Sequence, residues 1–400
     1  MMTTQLQPPQ TLTDGATPEF SQGPIPMLDL KRQYALLKPA LDDAMLSVLG
    51  SGQYILGPQV QAFEQEAAAF CQTRHAIGVA SGTDALYLAL RALNIGPGDE
   101  VITTAFSYIA TSEAIAQTGA IPVFADIEPL TPASSFNLNL EALEALITPR
   151  TRAILPVHLF GLPVPMVPLM ALAKKHQLAV IEDCAQAMGA TCLNQDGTPQ
   201  PVGSFGDFGC FSFFPTKNLG AAGDGGLVTT QQDALNDQLR MLRAHGSKQR
   251  YYHEVAGLNS RLDELQAALL RIKLPYLSQW NLRRRAIAAQ YSQAVSGLQD
   301  LVTPIETPDT NHVYHQYTIL LHENKREQVQ AALAANQIAS MIYYPVPLHL
   351  QGTHKPLGYQ SGDLPQIEAA ASRVLSLPIF PELTEAEILR IATTIKHALS

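Results

Sequence analysis

The pattern of apolar residues predicts an α/β protein: a large domain on a mixed, mostly parallel sheet, then a smaller C-terminal α/β domain. Three observations lead there. Short apolar runs at 76–80, 101–105, 121–125, 153–157 and 178–181 alternate with stretches of helical spacing at 84–93, 109–117, 140–147 and 167–176. Such alternation places helices on both faces of a parallel sheet. The chain has 400 residues, more than one hydrophobic core usually organises. A long helical stretch at 262–298, with Pro275 expected to kink it, reads as the connector to a smaller segment beginning near 302.

The elements follow in order. Residues 1–26 are rich in Gln, Thr and Pro with few large apolar side chains, so they are expected to be a disordered extension. Order is expected to begin at Met27, with a helix over 34–48, a glycine-punctuated turn at 50–58 and a second helix to Phe70. Two further strands, 208–214 and 226–230, flank Lys217, and a helix follows from Asp233. The last segment reads as a strand at 313–321, a helix at 325–335, a strand at 340–344 and a final helix from Glu385. The expected division is extension 1–26, large domain 27–260, and connecting helix with small domain 261–400.

Composition narrows the function. The formal net charge of −9 argues against a general nucleic-acid surface and leaves any phosphate binding to local groups. Cys71, Cys184, Cys192 and Cys210 show no CxxC or Cys/His metal spacing and read as buried thiols of a reducing compartment. No apolar run approaches a membrane span, and the N-terminus lacks the basic-then-apolar order of a signal peptide. A cytoplasmic enzyme without a metal is the expectation.

The chemistry centres on Lys217, set between an apolar strand and the glycines Gly220, Gly223, Gly225 and Gly226. Partial desolvation there lowers an ammonium pKa and frees the amine as a nucleophile; a surface lysine at a strand end is the plain alternative. Ser81-Gly82-Thr83-Asp84, between a strand and a helix, offers backbone N–H groups and a hydroxyl to a phosphate dianion, or is simply an N-cap. Glu182-Asp183 ends a buried strand at the edge where open α/β sheets bind ligands. That pair could serve a cofactor, terminate the strand or hold magnesium. Tyr108 after another strand offers a ring for stacking, Gln186 an amide, and Ser212 a second hydroxyl.

In this order these signals follow the layout of a fold-type I pyridoxal phosphate (PLP) enzyme. The chain resembles the DegT/DnrJ/EryC1/StrS sugar aminotransferases from Met27 to Leu399. The motifs are Gly52-Gln53-Tyr54-Ile55-Leu56-Gly57-Pro58, Ser81-Gly82-Thr83-Asp84-Ala85-Leu86, Glu182-Asp183-Cys184-Ala185-Gln186, the Lys217 segment and Gly257-Leu258-Asn259-Ser260-Arg261-Leu262-Asp263. Tyr343-Tyr344-Pro345 and Ser376-Leu377-Pro378 are similar to family sequence as well. Met188 departs from the histidine that many relatives carry.

The resemblance implies an aspartate aminotransferase-like fold and a set of roles. Lys217 forms the Schiff base and shuttles the proton, and Asp183 holds the pyridinium. Tyr108 stacks on the ring and Gln186 reaches its phenolic oxygen. Gly82, Thr83 and Ser212 hold the phosphate, with Asn259 reaching it from the neighbouring subunit of a homodimer. The run Gly220-Ala221-Ala222-Gly223-Asp224-Gly225-Gly226 is similar to members that aminate C3 of a nucleotide-linked keto sugar, of UDP or dTDP type, with glutamate as expected donor. Arg250, Tyr344 and His349 are the implied substrate contacts. A PLP-dependent sugar dehydratase and a non-catalytic PLP-binding regulator are the alternatives; the lysine favours transamination over dehydration.

Overall fold

The computed structural model describes residues 23–131 and 135–400. Helix α1 (Leu30–Ser51) is capped by Asp29, and α2 (Pro58–Phe70) opens on a proline that needs no N–H partner there. The large domain then alternates β1 (His75–Val79), α3 (Gly82–Ala92), β2 (Glu100–Thr104), α4 (Ala110–Gln117), β3 (Ile121–Ala125), α5 (Leu140–Leu143), β4 (Thr151–Leu155), α6 (Met166–His176) and β5 (Ala179–Asp183). After the short strands β6 (Thr191–Leu193) and β7 (Pro199–Pro201) come β8 (Phe208–Ser212), β9 (Gly226–Thr230) and α7 (Asp233–Leu242).

Seven of these strands form one sheet in the order β1-β9-β8-β5-β4-β2-β3. Strand β9 is antiparallel to both neighbours, and the other pairings are parallel. The remaining six strands therefore share one direction, and their carboxyl ends lie along one edge. Strands β2 and β9 are buried throughout and β5 nearly so, as a sheet covered on both faces demands. Helix α3 lays Leu86, Leu88, Ala89 and Leu90 into the core above the sheet.

An exposed hairpin, β10 (Ser247–Gln249) with β11 (Tyr252–His253), precedes the connector. The connector is α8 (Glu264–Lys273), a 3₁₀ turn at Leu274–Tyr276 and α9 (Leu277–Ala294). Pro275 thus breaks the helix where its missing N–H requires. The C-terminal part holds β12 (Leu301–Val302), β13 (Thr310–Asn311), β14 (Tyr317–Leu321), α10 (Arg326–Ala335), α11 (Pro365–Arg373), β15 (Val374–Leu377) and α12 (Glu385–Leu399). Strand β14 pairs with β12 and β15, over a second core of Ile319, Leu333, Leu377, Ile391 and Ile395. Helix α12 begins with a reciprocal cap between Thr384 and Glu387.

Two expectations change. The segment 340–344 is not a strand: Met341 makes one bridge to Ser376, and β15 takes the place beside β14. The chain leaves the sheet there and delivers Tyr344 to Gln186. Order also starts before Met27. Ile25 is buried in the second core and bonded on both sides, to Gln337 and Ala339. Residues 1–22 of the expected extension lie outside the described residues.

Candidate active site

The sheet register brings the site together. Val79 at the end of β1 is opposite Gly226, Gly226 is opposite Ser212, and Cys210 two residues back is opposite Asp183. The side-chain-free edge at Gly82 and Gly226 is required by close approach. A Cβ on Gly82 would lie 2.6 Å from that of Ser212, and one on Gly226 would lie 2.3 Å from the Ser81 carbonyl oxygen. Ser81 caps α3 by accepting the Asp84 N–H. The N–H groups of Gly82 and Thr83, in the first turn, have no acceptor within the helix. Beside them Ser212 adds its hydroxyl, and together these groups make a cup of donors at a helix N-terminus, a place that suits an anion.

Asp183 is 4% exposed. Its Oδ2 accepts from Thr111 Oγ1 at 2.8 Å, and its Oδ1 from the Ala185 N–H at 3.1 Å. Thr111 spends its proton on Asp183, so Ser107 donates in turn to Thr111, at 2.8 Å. Burial raises the Asp183 pKa, against the lowering effects of Thr111, the Ala185 N–H, Lys217 and His158. An uncompensated carboxylate in such a place calls for a cationic partner.

Lys217 is partly buried by area, but its amine is in the surroundings of an interior group. Burial lowers its pKa from 10.5 to about 8, and Asp183 opposes the shift. At neutral pH this raises the free-base fraction of the cofactor-free chain by roughly 300-fold. The turn that carries it is closed by Ala221 N–H to Phe213 O and Lys217 N–H to Phe214 O, both at 2.8 Å.

Gln186 accepts from the Phe160 N–H at 2.6 Å and donates to Tyr344 Oη at 3.0 Å. Tyr108 is 58% exposed, with its ring centroid 6.1 Å from that of Tyr344. An exposed ring at the end of β2 leaves a face free for a flat group. The other expected substrate contacts are not drawn into this group. Arg250 is exposed on the hairpin, over the Tyr251 ring. His349 is buried, with Nε2 on Glu368 at 3.1 Å. Asn259 is exposed beside Ser260, whose hydroxyl accepts the Ala80 N–H next to the cup.

Glu182, next to Asp183, serves the fold instead. Its Oε1 accepts from the Phe205 and Gly206 N–H groups, and its Oε2 from Gly203 N–H and His158 Nε2. His158 Nδ1 accepts from Val164 N–H, so its Nε2 is the donor to Glu182. His158, Glu182 and Cys184 are close enough together for a metal, but the carboxylate and imidazole lone pairs are already engaged. Thr111 and Ser107, which support Asp183, are the residues of this group that sequence reasoning did not single out. Their four-residue spacing, on either side of Tyr108 at the entry to α4, was the available signal.

The sequence matches the DegT/DnrJ/EryC1/StrS aminotransferase family over residues 37–396. It is 51% identical over 376 residues to the UDP-N-acetyl-3-dehydro-alpha-D-glucosamine 3-aminotransferase of Acidithiobacillus ferrooxidans, covering 94% of this chain and 98% of that one. It is 46% identical over 374 residues to the dTDP-3-amino-3,4,6-trideoxy-alpha-D-glucose transaminase of Streptomyces venezuelae, covering 93% and 96%. The fold is similar to that of DesV from S. venezuelae, solved in complex with a ketimine intermediate: TM-score 0.89, 46% identity, 94% and 99% of the two chains. Among the described residues, no helix is long and apolar enough to cross a membrane. This chain belongs to the DegT/DnrJ/EryC1/StrS aminotransferase family.

Proposed function

We propose that the protein is a PLP-dependent aminotransferase that transfers an amino group from glutamate to the C3 keto group of a nucleotide-linked sugar, as a cytoplasmic homodimer with shared sites. The observation that carries this reading is the pairing of a desolvated Lys217 with a buried, under-bonded Asp183 at one sheet edge beside a helix N-terminus. Relatives named for 3-amino or 3-dehydro nucleotide sugars support the C3 position. The four cysteines are buried and unpaired, which fits a reducing compartment. A second core around β14, made of Ile25 and residues between Ile287 and Ala398, supports a small C-terminal domain, while Leu262 to Leu277 of the connector pack with the large domain.

The residues present fit the cofactor. When bound, PLP supplies an electron-withdrawing ring and a carbonyl carbon that takes up an amine. Gly82, Thr83 and Ser212 would hold its phosphate, Asp183 its ring nitrogen and Tyr108 its face. Thr111 and the Ala185 N–H favour the ionised form of Asp183 against its burial, and the carboxylate would hold a proton at the ring nitrogen. Lys217 would offer its amine as nucleophile and then, as a free base, take the proton from the donor's Cα and deliver it to the cofactor's former carbonyl carbon, so that the donor leaves as its keto acid. In the second half-reaction it would carry a proton the opposite way, to C3 of the sugar. Tyr344, oriented by Gln186, closes the substrate side. Asn259, exposed in one chain, is read as reaching the partner's cup.

Incubation with glutamate and a panel of UDP- and dTDP-linked keto sugars, with products identified by mass and NMR, tests the assignment. The 3-keto compounds should gain an amine. Preference for 4-keto isomers refutes the C3 reading, and loss of a hydroxyl without gain of nitrogen points to dehydration. Lys217→Ala should remain folded and show no turnover; retained transamination would remove Lys217 from the chemistry.

A further inference from the structure

The residue after the lysine, Asn218, is 6% exposed and bonded on three sides. Its Nδ2 donates to Asn281 Oδ1 at 2.8 Å and to the Val313 carbonyl at 3.0 Å. Its Oδ1 faces His315 Nδ1 at 3.2 Å. Asn281, on α9, donates its own Nδ2 to the Met188 carbonyl at 3.1 Å. Two backbone carbonyls therefore fix the direction of both amides, and only one assignment satisfies every atom. His315 Nδ1 must carry a proton and donate to Asn218, Asn218 donates to Asn281, and Asn281 donates to Met188 in the loop that follows Asp183 and Gln186.

This chain of bonds starts on the segment entering the small domain, passes through the Lys217 turn and ends beside the aspartate loop. It fixes the turn at the residue next to Lys217. A second support lies two residues further on, where Lys273 Nζ donates to the Gly220 carbonyl at 2.7 Å. The charged groups around His315 are Lys217 and Arg284, and both, after burial itself, oppose a second proton on its ring. A neutral ring keeps a second cation away from the lysine amine.

We propose that His315 is a positioning residue for the transamination, acting through Asn218 to fix the turn that carries Lys217. The inference rests on Lys217 being the reacting amine, and the two fail differently: that reading falls if Lys217→Ala stays active, this one on the variants below.

His315→Leu keeps much of the volume and removes the donor; His315→Asn keeps a donor where Nδ1 stands. In the holoenzyme, His315→Leu should lower kcat about tenfold, with KM for either substrate changed less than about twofold. In the cofactor-free full chain, the pH midpoint of Lys217 reductive methylation, read by peptide mass spectrometry, should rise by about one unit as water reaches the turn. His315→Asn should restore both. Wild-type kcat and midpoint in His315→Leu overturn the proposal, as does equal impairment in both variants. If His315→Leu does not fold, Asn281→Ala, which removes the other support of Asn218, must raise the same midpoint; an unchanged midpoint there also overturns it.

Discussion

Glu182 and Asp183 are consecutive carboxylates at the end of β5, on opposite faces of one strand, and they do opposite things. Glu182 is saturated by four donors and holds the 203–206 loop in place. Asp183 has two donors, Thr111 Oγ1 and the Ala185 N–H. Burial is almost equal, at 0% and 4% exposure. On the proposed reading, what separates the structural acid from the cofactor-binding one is how many of its lone pairs the fold has already used. A saturated carboxylate has nothing left for a ligand.

The largest effect that tests this contrast is on the unsaturated side. Asp183→Asn keeps shape and loses charge, so turnover should fall on the order of 10²-fold, the scale of removing one preorganised electrostatic contact. Turnover within a few-fold of wild type would make Asp183 a second strand terminator. Glu182→Gln should show the reverse. An amide NH₂ set against N–H donors leaves part of the loop unsatisfied, for a stability loss of about 2 kcal/mol in chemical unfolding. Activity per folded molecule should be unchanged, and a large fall in kcat at full stability would erase the distinction. The smallest effect belongs to Thr111→Val, which takes one donor from Asp183 and should reduce kcat by about fivefold, roughly 1 kcal/mol. It should also shift the acid limb of the pH profile upward, because Asp183 loses a bond that favours its ionised form. An unshifted limb would place the support elsewhere.

The sequence made this division only half legible. Strand ends were readable because buried parallel strands leave long apolar runs, and β3, β9 and the start of α12 lie where periodicity puts them. Lys217, Asp183, Ser212 and Gly82 were visible as polar or glycine positions directly after such runs. Which of Glu182 and Asp183 faces the ligand depends on the 203–206 loop and on Thr111, about twenty residues downstream and seventy upstream, and no local pattern encodes those contacts. The setting of His349 was hidden for a related reason. Glu368, nineteen residues later, holds its ring inside, a contact that no local pattern encodes. The network around Asn218 was invisible because its members, at 188, 281, 313 and 315, meet only once the connector has folded back.

The second core has a consequence for biosynthesis. Ile25 is packed among residues of α10 and α12, Gly23 accepts from Arg390, and Arg32 donates to both Glu382 and Glu387. Contacts spanning some 350 positions of sequence join Arg32 to the start of the C-terminal helix. All seven strands of the large sheet are present once α9 has emerged from the ribosome, and Leu348, Leu364 and Ile367 join its core later. The C-terminal core lacks β14, β15 and α12 at that stage. It can close only after α12 is made, so the nascent chain carries an unpaired Ile25 edge until its partners Gln337 and Ala339 and the last helix have been synthesised. A shielding factor that binds early-emerging apolar segments has its longest opportunity there.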